Sequence, residues 1–294
     1  MVNVAVAGGT GGVGRTIIEV LDSSHHQGFT FSRKPAENQE QTPNQSFITA
    51  DYTNIPNLVT TLETLEIHTV ISTFAVKGDS LATSQANLIE AVKISKYTKR
   101  FIPSGFAISS LQTLPQPKDY FSALSTLQAS NLEYAVFTNG IFLDYFAPPG
   151  CSILESYLKP NVFVIDIANR VAAIPGDGDV PVWPQQGEEG FRVVGHEISW
   201  NRFVRMGEDV LGSKFEVHYD SIEELKRFEI KELPGHQTLY AHFPKKAFQW
   251  FMSIFELFTA DGNSCIKREG TLNELFPEIE PLTVRGMLEY WRDQ

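Results

Sequence analysis

Seven consecutive residues, Gly8-Gly9-Thr10-Gly11-Gly12-Val13-Gly14, carry the most chemical information in this 294-residue chain. Glycine adopts positive φ at little steric cost and lets backbone N–H groups come close to a bound anion. A G-x-x-G-x-x-G run that follows a strand and opens a helix therefore offers those N–H groups, and the positive helix end, to a pyrophosphate. Both flanks are present: Val2 to Ala7 reads as the strand and Gly14 to Leu21 as the helix. The run is thus expected to hold a dinucleotide through Gly8, Thr10, Gly11, Gly12, Val13 and Gly14. Which dinucleotide is read at the end of the second strand, where an acidic residue suits the ribose hydroxyls of NAD and a basic pair suits the 2′-phosphate of NADP. The chain has Phe31-Ser32-Arg33-Lys34 there. Arg33 offers a planar fork matched to phosphate oxygens and Lys34 a compact charge, so NADP is the expected cofactor. The plainer reading of the pair is two solvated loop cations.

Holding these groups needs a scaffold, and the first half of the chain has the pattern of one. Short β-branched or aromatic runs at Val2–Ala7, Phe29–Ser32, Phe47–Ala50, Thr69–Phe74, Arg100–Pro103 and Tyr134–Thr138 alternate with helical patterns at Gly14–Leu21, Ile55–Leu65 and Ser80–Lys96. That alternation predicts an α/β fold of the Rossmann type, a doubly wound, mostly parallel sheet with the first strand central. After Tyr145 the texture turns loop-rich, so a dinucleotide-binding domain over 1–150 and a smaller substrate lobe over 151–294 are expected. The net charge of −11 argues against nucleic acid and anionic membrane surfaces as partners. The apolar stretch from Ala247 to Phe258 is too short to span a bilayer. Cys151 and Cys265 form neither a disulfide framework nor a metal spacing, and no signal-peptide pattern precedes the first strand, which together predict a cytoplasmic protein without a metal site.

The sequence resembles the NmrA-like and isoflavone-reductase-like atypical short-chain dehydrogenases, especially fungal-type members. The matching stretches are Ala7 to Gly14, Ser32-Arg33-Lys34-Pro35, Lys99 to Ser104, Leu132-Glu133-Tyr134, Asn139 to Tyr145 and Ala173 to Asp179. The resemblance implies a Rossmann NADP domain whose nicotinamide end lies near the fourth and fifth strands. It implies that Ser72, Thr73 and Phe74 border the cofactor, that Ser104 and Phe106 lie beside its reactive end, and that Asp51 is similar to an adenine-side carboxylate. Asp51 also reads as a plain loop cap. By the same resemblance, Asn139, Phe142, Tyr145 and Phe146 lie where a small apolar or aromatic metabolite meets the nicotinamide. Phe248, Phe251, Phe255 and Phe258 repeat on one helix face, a pattern that suits plain core better than a pocket wall.

The sequence also departs from that family. No tyrosine is followed by lysine four residues later, the pairing ordinary short-chain dehydrogenases use to mobilise a proton, and H-E-x-x-H and G-x-S-x-G are absent. Redox relatives carry a lysine fourteen residues before the Tyr of the Leu-x-Tyr pattern, and here that place holds Tyr120, with Lys118 two residues upstream and about 200° away on a helix. Tyr120 and Lys118 are the candidate proton donors. Gly105 stands where the family has Glu, and the stretch between Asp179 and Val193 is shorter than in fungal relatives. The first expectation is an NADP-dependent oxidoreductase acting on an aromatic or polycyclic secondary metabolite. The alternatives are a non-redox cyclase or isomerase, cycloaddition included, on the same cofactor-bound scaffold, and a non-catalytic NADP-sensing regulator.

Overall fold

The computed structural model describes residues 1–35, 44–75, 80–106, 117–150, 157–182, 191–241, 243–261 and 270–292, with backbone alone for 117–120 and 181–182. Cys151, Cys265, most of the polar loop from Ala36 to Ser46 and the middle of the shortened stretch after Asp179 lie outside the described residues. The chain packs as two compact units, the first formed by Met1–Phe137 with the returning segments that carry Tyr157 and Phe191, and the second by the remainder.

In the first unit β1 (Asn3–Ala7), α1 (Gly12–Asp22), β2 (Gln27–Ser32), β3 (Gln45–Thr49), α2 (Ile55–Thr64), β4 (Ile67–Ser72), α3 (Ala86–Ile94), β5 (Arg100–Ile102), α4 (Pro117–Gln128) and β6 (Glu133–Tyr134) follow in order. The strands form one sheet in the order β3-β2-β1-β4-β5-β6, every neighbouring pair parallel. Helices α1, α3 and α4 link parallel neighbours, and α2 carries the chain from β3 across to β4, which reverses the strand order and leaves β1 inside the sheet as the alternation predicts. Ala5, Ala7, Phe29, Phe31, Val70 and Phe101 fill the sheet faces, and Leu58, Leu62, Leu88, Ile89 and Val92 close them from α2 and α3. Strands covered on both faces read as near-continuous apolar runs, which is why they stand out in the sequence.

Apart from shifts of one or two residues at element ends, two elements differ in kind from the sequence reading. The run expected as one strand over Tyr134–Thr138 is split into β6 and a separate strand β7 (Phe137–Thr138), which pairs with β11 (Phe191–Arg192) outside the main sheet. The helix expected over Ser80–Lys96 begins with a π-helical turn, Leu81–Gln85, and continues as α3.

The second unit is built on a three-stranded sheet of β8 (Ile165–Asp166), β9 (Val171–Pro175) and β13 (Glu216–Asp220), in the order β13-β9-β8. Strand β10 (Pro181–Val182) pairs antiparallel with β12 (Ile198–Ser199), which leads into α5 (Trp200–Leu211). Helices α6 (Ile222–Lys226), α7 (His236–Leu239), α8 (Lys245–Ala260), α9 (Leu272–Leu275) and α10 (Val284–Glu289) complete the unit. Phe248, Phe255 and Phe258 of α8 are buried, with Phe255 against Phe163 and Phe248 against His236. Most of that aromatic stripe is therefore core. Among the described residues no helix is long and apolar enough to cross a membrane.

Candidate cofactor and active site

All the cofactor residues expected from the sequence fall at one edge of the first unit. Because its strands are parallel, their carboxyl ends open on the same side, and the pairings Ala7↔Phe31 and Ala7↔Ser72 keep the exits of β1, β2 and β4 level. At the exit of β1, Gly8 takes φ +78° and Gly11 donates to the Gly8 carbonyl at 2.9 Å, closing a tight turn into α1. Gly14 tolerates no side chain, because a Cβ there would lie 2.5 Å from the Gly8 oxygen and 2.7 Å from the Gly9 Cα. The turn is pinned from β4 by Thr73, whose N–H and hydroxyl both donate to the Ala7 carbonyl, at 2.8 and 2.9 Å.

Helix α1 has Gly11 at its N-cap, so it has no side-chain cap, and its first turn holds no acidic residue. The first N–H groups of a helix have no partner within it, and their combined dipole favours an anion. Thr10 and Gly11 are exposed beside this end, with Gly12 and Val13 half-buried. At the exit of β2, Ser32 is buried and its hydroxyl accepts the Lys34 N–H at 3.2 Å, while the Arg33 and Lys34 side chains stand exposed. Neither makes an ion pair among the described residues. A bare helix end, a cradle that a Cβ would fill and two uncommitted cations make a donor set suited to a dinucleotide carrying an additional phosphate.

Asp51, after β3, is exposed, and one carboxylate oxygen accepts both the Thr53 N–H at 2.9 Å and the Thr53 hydroxyl at 2.6 Å. These bonds hold its carboxyl below the usual range. In this structure Asp51 caps the turn that follows β3. Beside it the sequence reading missed Tyr52, which is 3% exposed, meets Phe74 edge-on at 4.8 Å and donates its hydroxyl to the Phe31 carbonyl at 3.3 Å. Burial pushes the Tyr52 hydroxyl well above its ordinary pKa, against the smaller pull of the Gly8 N–H and the Arg33 charge.

At the last residue of β4, Ser72 is fully buried and its hydroxyl lacks a partner; beyond it Thr73 is half-buried and Phe74 is buried. Ser104, two residues beyond β5, is buried; its N–H donates to Gln85 Oε1 at 2.9 Å and its hydroxyl to the Phe74 carbonyl at 2.7 Å. Phe106 follows, its ring 6.2 Å from Phe137, which in turn lies 5.5 Å from Phe191. Gln85 also went unread, although a signal existed: it occupies a buried position in step with Leu81, Leu88, Ile89 and Val92.

Lys118 and Tyr120 lie in the first turn of α4, and their side chains are outside the described residues. Asn139, Phe142, Tyr145 and Phe146 belong to the second unit. Asn139 Nδ2 donates to the Gly140 carbonyl at 2.8 Å, and its Oδ1 is buried without a partner. Phe142 and Tyr145 are half-buried and meet edge-on at 5.9 Å. Burial, then the Asp144 charge, raises the Tyr145 pKa. Phe146 is 3% exposed among Phe163, Trp200 and Phe203, so its ring is core of that unit. A cavity of about 140 Å³ in the same unit is walled by Tyr145, Asn161, Ile165, Leu239 and Trp291.

Comparison with known proteins agrees with this geometry. Residues 2–123 match the model of the NmrA-like family. The chain is similar to the oxidoreductase BOA1 of Botryotinia fuckeliana, 31% identical over 303 residues that cover 96% of both chains. It is similar to the isoflavone reductase homologue A622 of Nicotiana tabacum, at 25% identity over 76% of this chain and 78% of the other. Among solved structures it resembles AtPrR2 with NADP+ and (+)pinoresinol, with a TM-score of 0.68, 16% identity and 98% of each chain covered. On the strength of a fungal relative above 30% identity along nearly its whole length, this chain belongs to the NmrA-like, isoflavone-reductase-like family.

Proposed function

We propose that the protein is an NADP-dependent oxidoreductase that reduces an aromatic or polycyclic secondary metabolite. One observation carries the cofactor half of this reading: an uncapped α1 N-terminus behind a glycine cradle shares the carboxyl edge of the sheet with the exposed Arg33 and Lys34. Gly8 to Gly14 would hold the pyrophosphate, Arg33 and Lys34 the 2′-phosphate, and Thr73, Phe74 and Ser104 would border the nicotinamide. NADPH, when bound, supplies a hydride. The oxidoreductase name of BOA1 and the NADP+ and (+)pinoresinol named for AtPrR2 support the same class for this chain.

The substrate half rests on the aromatic residues. Phe106 in the first unit is half-buried, and within the second unit Phe142 and Tyr145 are half-buried rings of a kind that suits a rigid apolar ligand. Tyr120 or Lys118 would donate the proton that meets negative charge developing on the reduced substrate. Tyr120 standing at the family's lysine position favours one second reading, a cyclase or isomerase on the same cofactor-bound scaffold without redox turnover. Incubation with NADPH and a panel of aromatic ketones and conjugated alkenes separates the two. Loss of nicotinamide absorbance in step with product supports the reductase, and product formed with the absorbance unchanged supports the second reading.

A further inference from the structure

One fully buried polar side chain has no part in the reading above, and it lies directly behind Ser104. Gln85 is completely shielded from solvent at the end of the π-helical turn Leu81–Gln85. Its Oε1 accepts the Ser104 N–H, while its Nε2 is buried with no partner. A Leu or Met would fill the same space without stranding a donor, so packing alone does not account for an amide here. Single π turns inside helices are uncommon and concentrate at functional sites.

What the amide does follows from where the sheet stops. The β4–β5 pairing ends at Ile71↔Ile102. The next residue, Pro103, has no N–H to continue the ladder. Ser104 therefore carries the first donor beyond β5, and Gln85 takes it. The Ser104 hydroxyl then ties that exit to β4 through the Phe74 carbonyl. The start of α3 fastens the β3 exit as well, since Asn87 Nδ2 donates to the Tyr52 carbonyl at 2.9 Å. Tyr52 reaches onward to Phe31 at the end of β2 and packs on Phe74. The exits of β2, β3, β4 and β5 thus share one hydrogen-bonded and packed support that begins at Gln85 and Asn87.

We propose that Gln85 is a positioning residue that fixes the β5 exit against the β4 exit, and so sets where the nicotinamide ring rests rather than how tightly NADPH binds. The proposal rests on the assignment of Ser104 to the reactive end of the cofactor. Affinity would come from the glycine turn and Arg33, which Gln85 does not touch, whereas reaction geometry is sensitive to displacements of about 1 Å.

The test compares the wild type with Gln85→Leu, which removes the acceptor, and Gln85→Glu, which when neutral in this buried setting restores one. NADPH is the probe. Three quantities are read: amide exchange at Ser104, the Kd for NADPH, and the change in nicotinamide fluorescence on binding. Gln85→Leu is expected to speed Ser104 exchange about tenfold or more, leave Kd within about threefold and abolish the fluorescence change, with Gln85→Glu restoring the first and last. Should Gln85→Leu not fold, Gln85→Asn, which withdraws the oxygen by one carbon, is read in its place with the same expectations. Unchanged Ser104 exchange overturns the proposal, as does an unaltered fluorescence change in a folded variant. A wild-type chain that does not bind NADPH refutes the cofactor assignment and with it the positioning role, even if Ser104 exchange still responds to Gln85.

Discussion

Replacing Glu256 by Gln should remove a pH-dependent weakness from the second unit. Glu256 lies on α8, is 1% exposed, and its carboxyl meets that of Asp220 at the end of β13. Asp220 accepts the Lys231 N–H at 3.1 and 2.9 Å, a contact that favours its ionised form, although burial still pushes its pKa up. The other charged groups that bear on Asp220 are Glu224, which raises its pKa, and His218, which lowers it. Burial first, and the adjacent Asp220 second, raise the Glu256 carboxyl well above its ordinary range, which favours its neutral form in the folded state. Its Oε2 has no partner. The folded state therefore holds a proton that the unfolded chain releases above about pH 4.3. The contribution is fully present below that pH and is lost as pH rises toward the elevated folded value, with a slope of up to about 1.4 kcal/mol per pH unit. At about 2–4 °C per kcal/mol for a unit of this size, that is roughly 3–5 °C of Tm per pH unit. Gln donates to Asp220 at any pH. Thermal melts of wild type and Glu256→Gln should diverge as pH rises from 5 toward the elevated folded pKa, the variant gaining on the wild type. Parallel profiles would refute the neutral Glu256.

Four other outcomes follow from the geometry. Gly14→Ala would drive a Cβ into the Gly8 carbonyl, whereas Gly11→Ala meets that oxygen at 3.3 Å with φ already −78°, so Gly14→Ala should cost about 1–3 kcal/mol by thermal melts and Gly11→Ala under about 1. Phe146→Ala should destabilise the second unit by about 3–5 kcal/mol. Phe142→Ala, at a half-buried ring, should instead raise substrate KM with little change in Tm; a large Tm loss would mark Phe142 as core. Tyr120→Phe should lower turnover about 10²–10⁴-fold if Tyr120 is the acid, Lys118→Met should do so if Lys118 is, and full activity in both would favour the non-redox reading.

The fold was legible because its determinants are local and periodic. Buried parallel strands show as the apolar runs at Val4–Ala7 and Val70–Ile71, and the β1 turn declares itself by glycines whose Cβ positions the structure fills. The break between β6 and β7 was not legible, since Phe137–Thr138 has strand composition and only its partner, distant in sequence, decides which sheet it joins. Arg33 and Lys34 were readable as a pair of charges at a strand end. Tyr52 was not read, because its role comes from a long-range bond to Phe31 that no spacing encodes, and for Gln85 the helical period marks a buried position without revealing its bond to Ser104. Asp51 was ambiguous in sequence, and the structure shows it accepting two bonds from Thr53.

The central claim is that the β2 exit selects NADP, and titration of wild type and Arg33→Ala with NADPH and NADH tests it most directly. Charge-assisted hydrogen bonds are each worth about 1.5–3 kcal/mol, so the wild type should prefer NADPH and Arg33→Ala should weaken NADPH binding by about tenfold or more. The Kd for NADH should stay nearly unchanged, since that cofactor lacks the 2′-phosphate. Equal losses for the two cofactors, or a wild type that binds both alike, would contradict the account.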